Sequence, residues 1–112
     1  VWATNILDWK KRLEWIYKII PEALELKDRP STSLSGGQQK LIALSRALMV
    51  GSKLLLLDEP SEGIAPALTK RIIDILNDLK KEGVTTLIAE SNASHYEGML
   101  DKSFVIERGQ VK

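Results

Sequence analysis

Apolar residues recur at helical spacing along the first twenty positions. Trp2, Ile6, Trp9, Leu13, Ile16, Tyr17 and Ile20 make the stripe, with Lys10, Lys11, Arg12 and Glu14 between them. This pattern predicts an amphipathic helix. The three tryptophans lie on or beside the stripe, so packing accounts for them better than ligand stacking. Pro21 lacks an amide hydrogen and should end or kink the helix, with Glu22 to Lys27 resuming it. Asp28 to Gly37, DRPSTSLSGG, is dense in turn formers and reads as a loop. A further helix is expected from about Gly37 to Val50. Leu41, Ile42, Ser45, Leu48 and Met49 lie along one side of it, and Gly51 is its stop.

The pattern then changes. Lys53 to Leu57 ends in consecutive leucines and is too short for a helix after Gly51. It reads as a strand buried on both faces, as parallel sheets require. Asp58 to Ala65 is a loop at its end, and Pro66 suits the first turn of a helix. Leu68, Ile72, Ile73, Ile75, Leu76 and Leu79 carry that helix's apolar face, and Gly83 ends it. Val84 to Ala89 is a second strand rich in β-branched residues. Two strands joined by a helix form a βαβ unit, so the fold class is α/β with a parallel sheet. A short helix from about Ser94 to Leu100, a third strand from Ser103 to Glu107 and a tight turn at Arg108-Gly109 into a last strand follow.

Composition narrows the function. The chain has 112 residues, 44% hydrophobic and 28% charged, which suits a small globular domain. A formal net charge of +1 gives no basic excess for a nucleic-acid partner. Without cysteine there is no disulfide framework and no thiolate metal site. No apolar run approaches the roughly 20 residues that span a bilayer, so direct membrane insertion is not expected. Charges interrupt the first residues before any signal-peptide core could form. The chain opens on what reads as mid-domain sequence, and we expect it to be part of a longer polypeptide.

Two short segments carry candidate chemistry. Asp58-Glu59-Pro60 sets adjacent carboxylates where a strand emerges, the end of an α/β sheet at which ligands bind. One acid there can hold Mg²⁺, and its neighbour can orient or deprotonate a water for attack on phosphate. Alone, the pair could equally cap the next helix. Leu34-Ser35-Gly36-Gly37-Gln38 offers paired glycines, a hydroxyl and a helix N-terminus, all suited to a phosphate. Alone, it reads better as an ordinary serine cap with a glycine turn.

Together the segments are far more specific. LSGGQ, a helix, and then LLLLDEPSEGIAP about 20 residues later resemble the signature motif and Walker B region of the ATP-binding-cassette (ABC) ATPases. The resemblance covers essentially the whole chain. It implies a partial P-loop NTPase core of RecA-like type, with a remnant of the α-helical signature subdomain. Residues 1–50 would belong to the helical subdomain and 51–112 to the core. DEPSEGIAP, the later ESNA and the stretch WIYKIIPEALELKDRPSTSLSGGQQ are most similar to the branched-chain amino acid importer ATPases.

The family works as a head-to-tail pair of cassettes, with ATP between the P-loop of one and the signature of the other. The resemblance therefore implies that Ser35, Gly36, Gly37 and Gln38 contact ATP held by a partner subunit. It implies that Asp58 holds Mg²⁺ through water, that Glu59 is the general base or a water-polarising acid, and that Ser61, Glu62, Gly63 and Ile64 form the D-loop. Transmembrane permease subunits would be further partners, placing the protein on the cytoplasmic face of the cell membrane.

Two positions depart from the family pattern. Ser91 stands where the family has its switch histidine, and a serine cannot carry the charge of an imidazolium. A weaker or differently timed hydrolysis step is the expectation. His95, four residues later, reads as an incidental surface histidine. Ile64 stands where the D-loop commonly has aspartate. No GxxGxGKS/T phosphate cradle occurs in the sequence, so the chain alone is expected to bind and hydrolyse ATP poorly. Lost strands should leave sheet edges and an apolar face exposed. A non-transport ABC ATPase and a non-enzymatic interaction module remain alternatives.

Overall fold

The computed structural model describes residues 6–51 and 53–112. Helix α1 spans Ile6–Ile19, α2 Pro21–Leu26 and α3 Gly36–Val50. Strand β1, Leu54–Asp58, leads through helix α4, Pro66–Lys81, to strand β2, Thr85–Ala89. A terminal hairpin pairs β3, Ile106–Glu107, with β4, Gln110–Val111.

The helix breaks follow local chemistry. Pro21 occupies the first turn of α2, where its missing donor costs nothing, so the chain bends between α1 and α2 without losing helix. Pro66 opens α4 in the same way, and Gly83 beyond its end takes φ of 86°. Gly51 acts differently. Its φ of −155° is extended, so α3 stops without a left-handed cap.

Of the expected first stripe, Trp2 and the Ile6 side chain lie outside what the structure describes. Ile16 and Ile20 are fully buried, while Trp15 and Tyr17 are half-buried and pack against the core. That core joins α1 and α2 to Leu41, Leu44 and Leu48 of α3, Leu55 of β1, and Ile72, Ile75, Leu76 and Leu79 of α4. Tyr96, in a single 3₁₀ turn over Ala93–Tyr96, closes it beyond β2. Two polar links span the helices. The Arg12 guanidinium donates to the Leu48 carbonyl at 2.9 Å. Arg71 of α4 grips Glu22 of α2 through two bonds of 2.5 and 2.9 Å.

β1 and β2 are parallel and in register from Leu54 opposite Thr85 to Asp58 opposite Ala89. Their carboxyl ends therefore lie side by side. The expectation of a strand covered on both faces is corrected: only Leu55 of β1 is buried, while Leu54 and Leu56 are 58% and 65% exposed. Leu87 of β2 is exposed as well, which makes one open apolar face, as expected for a sheet that lacks strands. A run of leucines states that a strand is apolar, not which layers cover it.

The last twenty residues also differ from expectation. The helix expected over Ser94 to Leu100 is only the 3₁₀ turn at Ala93–Tyr96, and Gly98 opposes its continuation. The third strand shrinks to a two-residue arm of the hairpin and does not join the parallel sheet. Arg108 and Gly109 do form the tight turn. Their φ values of 51° and 79° are both positive, as a type I′ hairpin demands.

Candidate functional site

Glu59 sits one residue past the end of β1 and has φ of 48°, a left-handed conformation rare for a side-chain-bearing residue. Four hydrogen bonds hold it there. Its amide donates to the Ala89 carbonyl of β2 at 2.8 Å, and its carbonyl accepts from the Glu62 amide at 3.1 Å. The same carbonyl accepts from Lys40 Nζ of α3 at 3.0 Å. Its carboxylate Oε1 accepts from the Ser91 amide at 2.9 Å. The turn thus aims a half-buried acid across the carboxyl end of the sheet, where its side chain meets that of Glu90.

Ser91 reaches Glu59 through its main chain, so the contact does not depend on the serine hydroxyl. Glu59, Ser61, Glu62, Glu90, Ser91, Asn92 and His95 line one open depression of about 270 Å³. His95 is exposed, as expected, yet its 3₁₀ turn carries it to the rim of the depression that Glu59 lines. Spacing along the chain did not foresee that.

Glu90 organises the depression's far side. Its Oε1 accepts from the Ser61 hydroxyl at 2.7 Å, the Ser61 amide at 3.1 Å and the Tyr96 hydroxyl at 3.1 Å. Burial pushes the Glu90 carboxyl up, but hydrogen bonding to Ser61, Glu59 and Tyr96 outweighs it and holds it below the usual range. Burial raises the Tyr96 phenol, and the neighbouring Glu90 adds to that rise. The turn from Ser61 to Ile64 is thereby tied to the residue after β2. Sequence reasoning assigned no role to Lys40, Glu90 or Tyr96, because each acts on a residue distant in the chain.

Asp58, at the last position of β1, is exposed and opens on a separate cleft with Lys40, Leu57 and Pro60. Among the described residues no three acidic or histidine side chains gather as a metal-binding group. A lone exposed carboxylate still fits Mg²⁺, which is commonly bound by one or two carboxylates, waters and substrate phosphates.

The glycine pair lies at the start of α3. Ser35 caps the helix in a full capping box: its hydroxyl accepts from the Gln38 amide at 3.1 Å, and its amide donates to Gln38 Oε1 at 2.9 Å. This geometry leaves the Ser35 O–H, the Gln38 side-chain NH₂ and the Gly36 amide to donate outward, while Gly37 is buried. The two glycines differ. A Cβ on Gly37 would meet Leu68 Cδ1 at 2.4 Å and Cγ at 2.6 Å, so α4 packs against bare backbone there. A Cβ on Gly36 would meet nothing nearer than the Gly63 carbonyl oxygen at 4.0 Å. Gly36 and Gly63 are therefore neighbours, and the two loops share one face. None of Ser35 to Gln38 lines the Glu59 depression.

The family description "ABC transporter" matches residues 4–62, just over half of the chain. The chain belongs to the ABC transporter family. It is 36% identical over 104 residues to the high-affinity branched-chain amino acid transport ATP-binding protein BraG of Pseudomonas aeruginosa, covering 93% of this chain and 45% of that one. It is 37% identical over 105 residues to the probable branched-chain amino acid transport ATP-binding protein LivG of Methanocaldococcus jannaschii, covering 91% of this chain and 40% of that one.

Among solved structures, an ATP-binding cassette of an ABC transporter in its ADP conformation superposes with a TM-score of 0.84 at 32% identity. The match covers 99% of this chain and 43% of that one. A nucleotide-free cassette gives 0.82, also at 32% identity, over 98% of this chain and 43% of that one. This ABC chain thus spans less than half the length of these relatives, and its α/β fold is that of the corresponding part of a cassette. Among the described residues no helix is long and apolar enough to cross a membrane.

Proposed function

We propose that this chain is part of the ATP-hydrolysing subunit of an ABC importer for amino acids of the branched-chain type. The observation that carries the reading is the clamped Glu59 at the carboxyl end of β1, its main chain held by Ala89, Glu62 and Lys40 and its carboxylate by the Ser91 amide. Its position suits an acid that accepts a proton from, or orients, an attacking water. Asp58 would hold Mg²⁺ through water, and the ion when bound would neutralise phosphate charge. The names of the BraG and LivG relatives support the substrate class.

The face made by Ser35, Gly36, Gly37 and Gln38 would complete the ATP site of a second cassette in a head-to-tail dimer. Its outward donors suit phosphate oxygens, and the positive end of the α3 dipole adds to their pull. Gly63 beside Gly36 would bring Ser61 to Ile64 to the same dimer interface. Residues 1–50 would act as helical subdomain and 51–112 as core. Permease subunits would dock the assembly on the cytoplasmic face of the membrane. A P-loop from elsewhere in the polypeptide would supply the phosphate cradle, and this chain alone would turn over little ATP.

The test is Glu59→Gln in the native polypeptide that carries this chain, assembled with its partners. Removal of a general base lowers turnover by about 10²- to 10⁴-fold. We expect that loss with ATP still bound, together with loss of leucine or valine uptake. Unchanged hydrolysis would refute the role of Glu59, and uptake of an unrelated substrate would refute the substrate class. Ser91→His probes the departure at the switch position, where faster hydrolysis is expected and an unchanged rate would sink that idea.

A further inference from the structure

We infer that Lys40 is a positioning residue for Glu59, a strut from the helix that carries the glycine pair to the turn that carries the acid. The inference rests on the reading of Glu59 as the water-handling group. Lys40 lies three residues beyond Gly37, one turn into α3. Its side chain is half-buried and lines a cleft with Leu44, Leu57, Pro60, Ile72 and the Asp58 carboxylate. Its ammonium ends 3.0 Å from the Glu59 carbonyl oxygen, 19 residues away in sequence.

A charged donor on a carbonyl in partly apolar surroundings makes a stronger hydrogen bond than a neutral one. The target is a peptide at φ of 48°, a conformation that persists only where neighbours hold it. Without Lys40, that carbonyl would keep only the Glu62 amide. The turn could then relax, and the carboxylate would leave the Ser91 amide. Lys40 touches main chain, so it sets geometry and need not meet substrate.

This strut joins two sites. In a head-to-tail pair, the start of α3 would serve one ATP and Glu59 the other. When the Ser35–Gln38 face engages the partner's phosphate, any shift of α3 is passed through Lys40 to Glu59 of the chain's own site. In such a pair Lys40 would link the two sites through main chain.

The experiment compares Lys40→Met, Lys40→Arg and Glu59→Gln in the assembled native protein, with steady-state ATPase kinetics and thermal unfolding of each. Misplacement of a catalytic group by about 1 Å costs up to about 10²-fold in rate. We expect Lys40→Met to lower kcat by about 10- to 100-fold on that basis, with KM for ATP little changed and cooperativity between sites reduced. Lys40→Arg, which can still donate to the carbonyl, should recover most of kcat. A kcat per folded molecule within twofold of the parent, or a raised KM at constant kcat, overturns the inference, as does a loss confined to the thermal midpoint. If Glu59→Gln also hydrolyses normally, the fault lies with the role given to Glu59. If Glu59→Gln is slow and Lys40→Met is not, only the strut is wrong.

Discussion

Replacing Gly37 with alanine separates two explanations for the glycine pair. If the pair only admits a ligand, alanine at either position should leave stability alone. The structure says otherwise for Gly37, whose added methyl would sit 2.4 Å from Leu68 Cδ1 and 2.6 Å from Cγ. The branch point of the leucine would have to move, along with its terminal methyl. Overpacking of this kind costs about 1–3 kcal/mol. Alanine returns about 0.5–1 kcal/mol through lower backbone entropy in a helix. The net expectation is a loss of about 1 kcal/mol. With a urea m-value of about 1 kcal/mol/M, the midpoint falls by about 1 M. Tryptophan fluorescence follows the transition, since Trp9 and Trp15 both lie in α1.

Gly36→Ala is the internal comparison, because its methyl has space. It should be neutral or stabilising by up to about 1 kcal/mol. Adding Leu68→Ala to Gly37→Ala should recover part of the loss, with a coupling of about 1 kcal/mol. A Gly37→Ala protein as stable as Gly36→Ala, or strict additivity with Leu68→Ala, would refute the packing account. Loss of ATPase in Gly37→Ala should accordingly be read as displacement of α4 and the adjoining turn, not as blocked access to phosphate.

Other outcomes follow from the polar contacts. Arg71 holds the Glu22 carboxyl below its usual range through direct hydrogen bonds, against a smaller upward push from burial. A lowered folded pKa gives stability that is present above the unfolded value, near 4.5, and lost as pH falls through the folded one. Glu22→Gln should therefore cost about 0.5–1 kcal/mol at pH 7 and almost nothing near pH 2, by chemical denaturation at both. Tyr96→Phe removes one of three donors from Glu90 and should destabilise by about 0.5–1.5 kcal/mol. Glu90→Gln should loosen the turn from Ser61, seen as faster hydrogen exchange of the Ser61 amide, which bonds to Glu90 Oε1. Unchanged exchange would refute that tether.

Most helices were legible because their signals are local. Apolar spacing, Pro21, Pro66 and Gly83 act within one or two turns, and the structure places α1, α2, α3 and α4 close to expectation. The parallel pairing of β1 with β2 followed from two apolar runs separated by a helix. The exposure of Leu54, Leu56 and Leu87 did not follow from β1's leucines, since covering layers are set by the rest of a fold. At the candidate site, Glu59, Ser61 and Ser91 were legible as motif positions. Their organisers were not. Lys40, Glu90 and Tyr96 act across gaps of 19, 29 and 6 residues, and no spacing rule encodes such bonds.

The backbone of Glu59 bears on how this protein should be engineered. A side chain at φ of 48° carries a conformational cost of about 1–2 kcal/mol that glycine would avoid. Any library sorted for heat resistance alone should therefore enrich glycine or asparagine at position 59, and each winner would have discarded the acid. Under the proposed role of Glu59, stability and turnover would pull in opposite directions at this residue. A stabilised variant of this protein is best sought with position 59 held fixed.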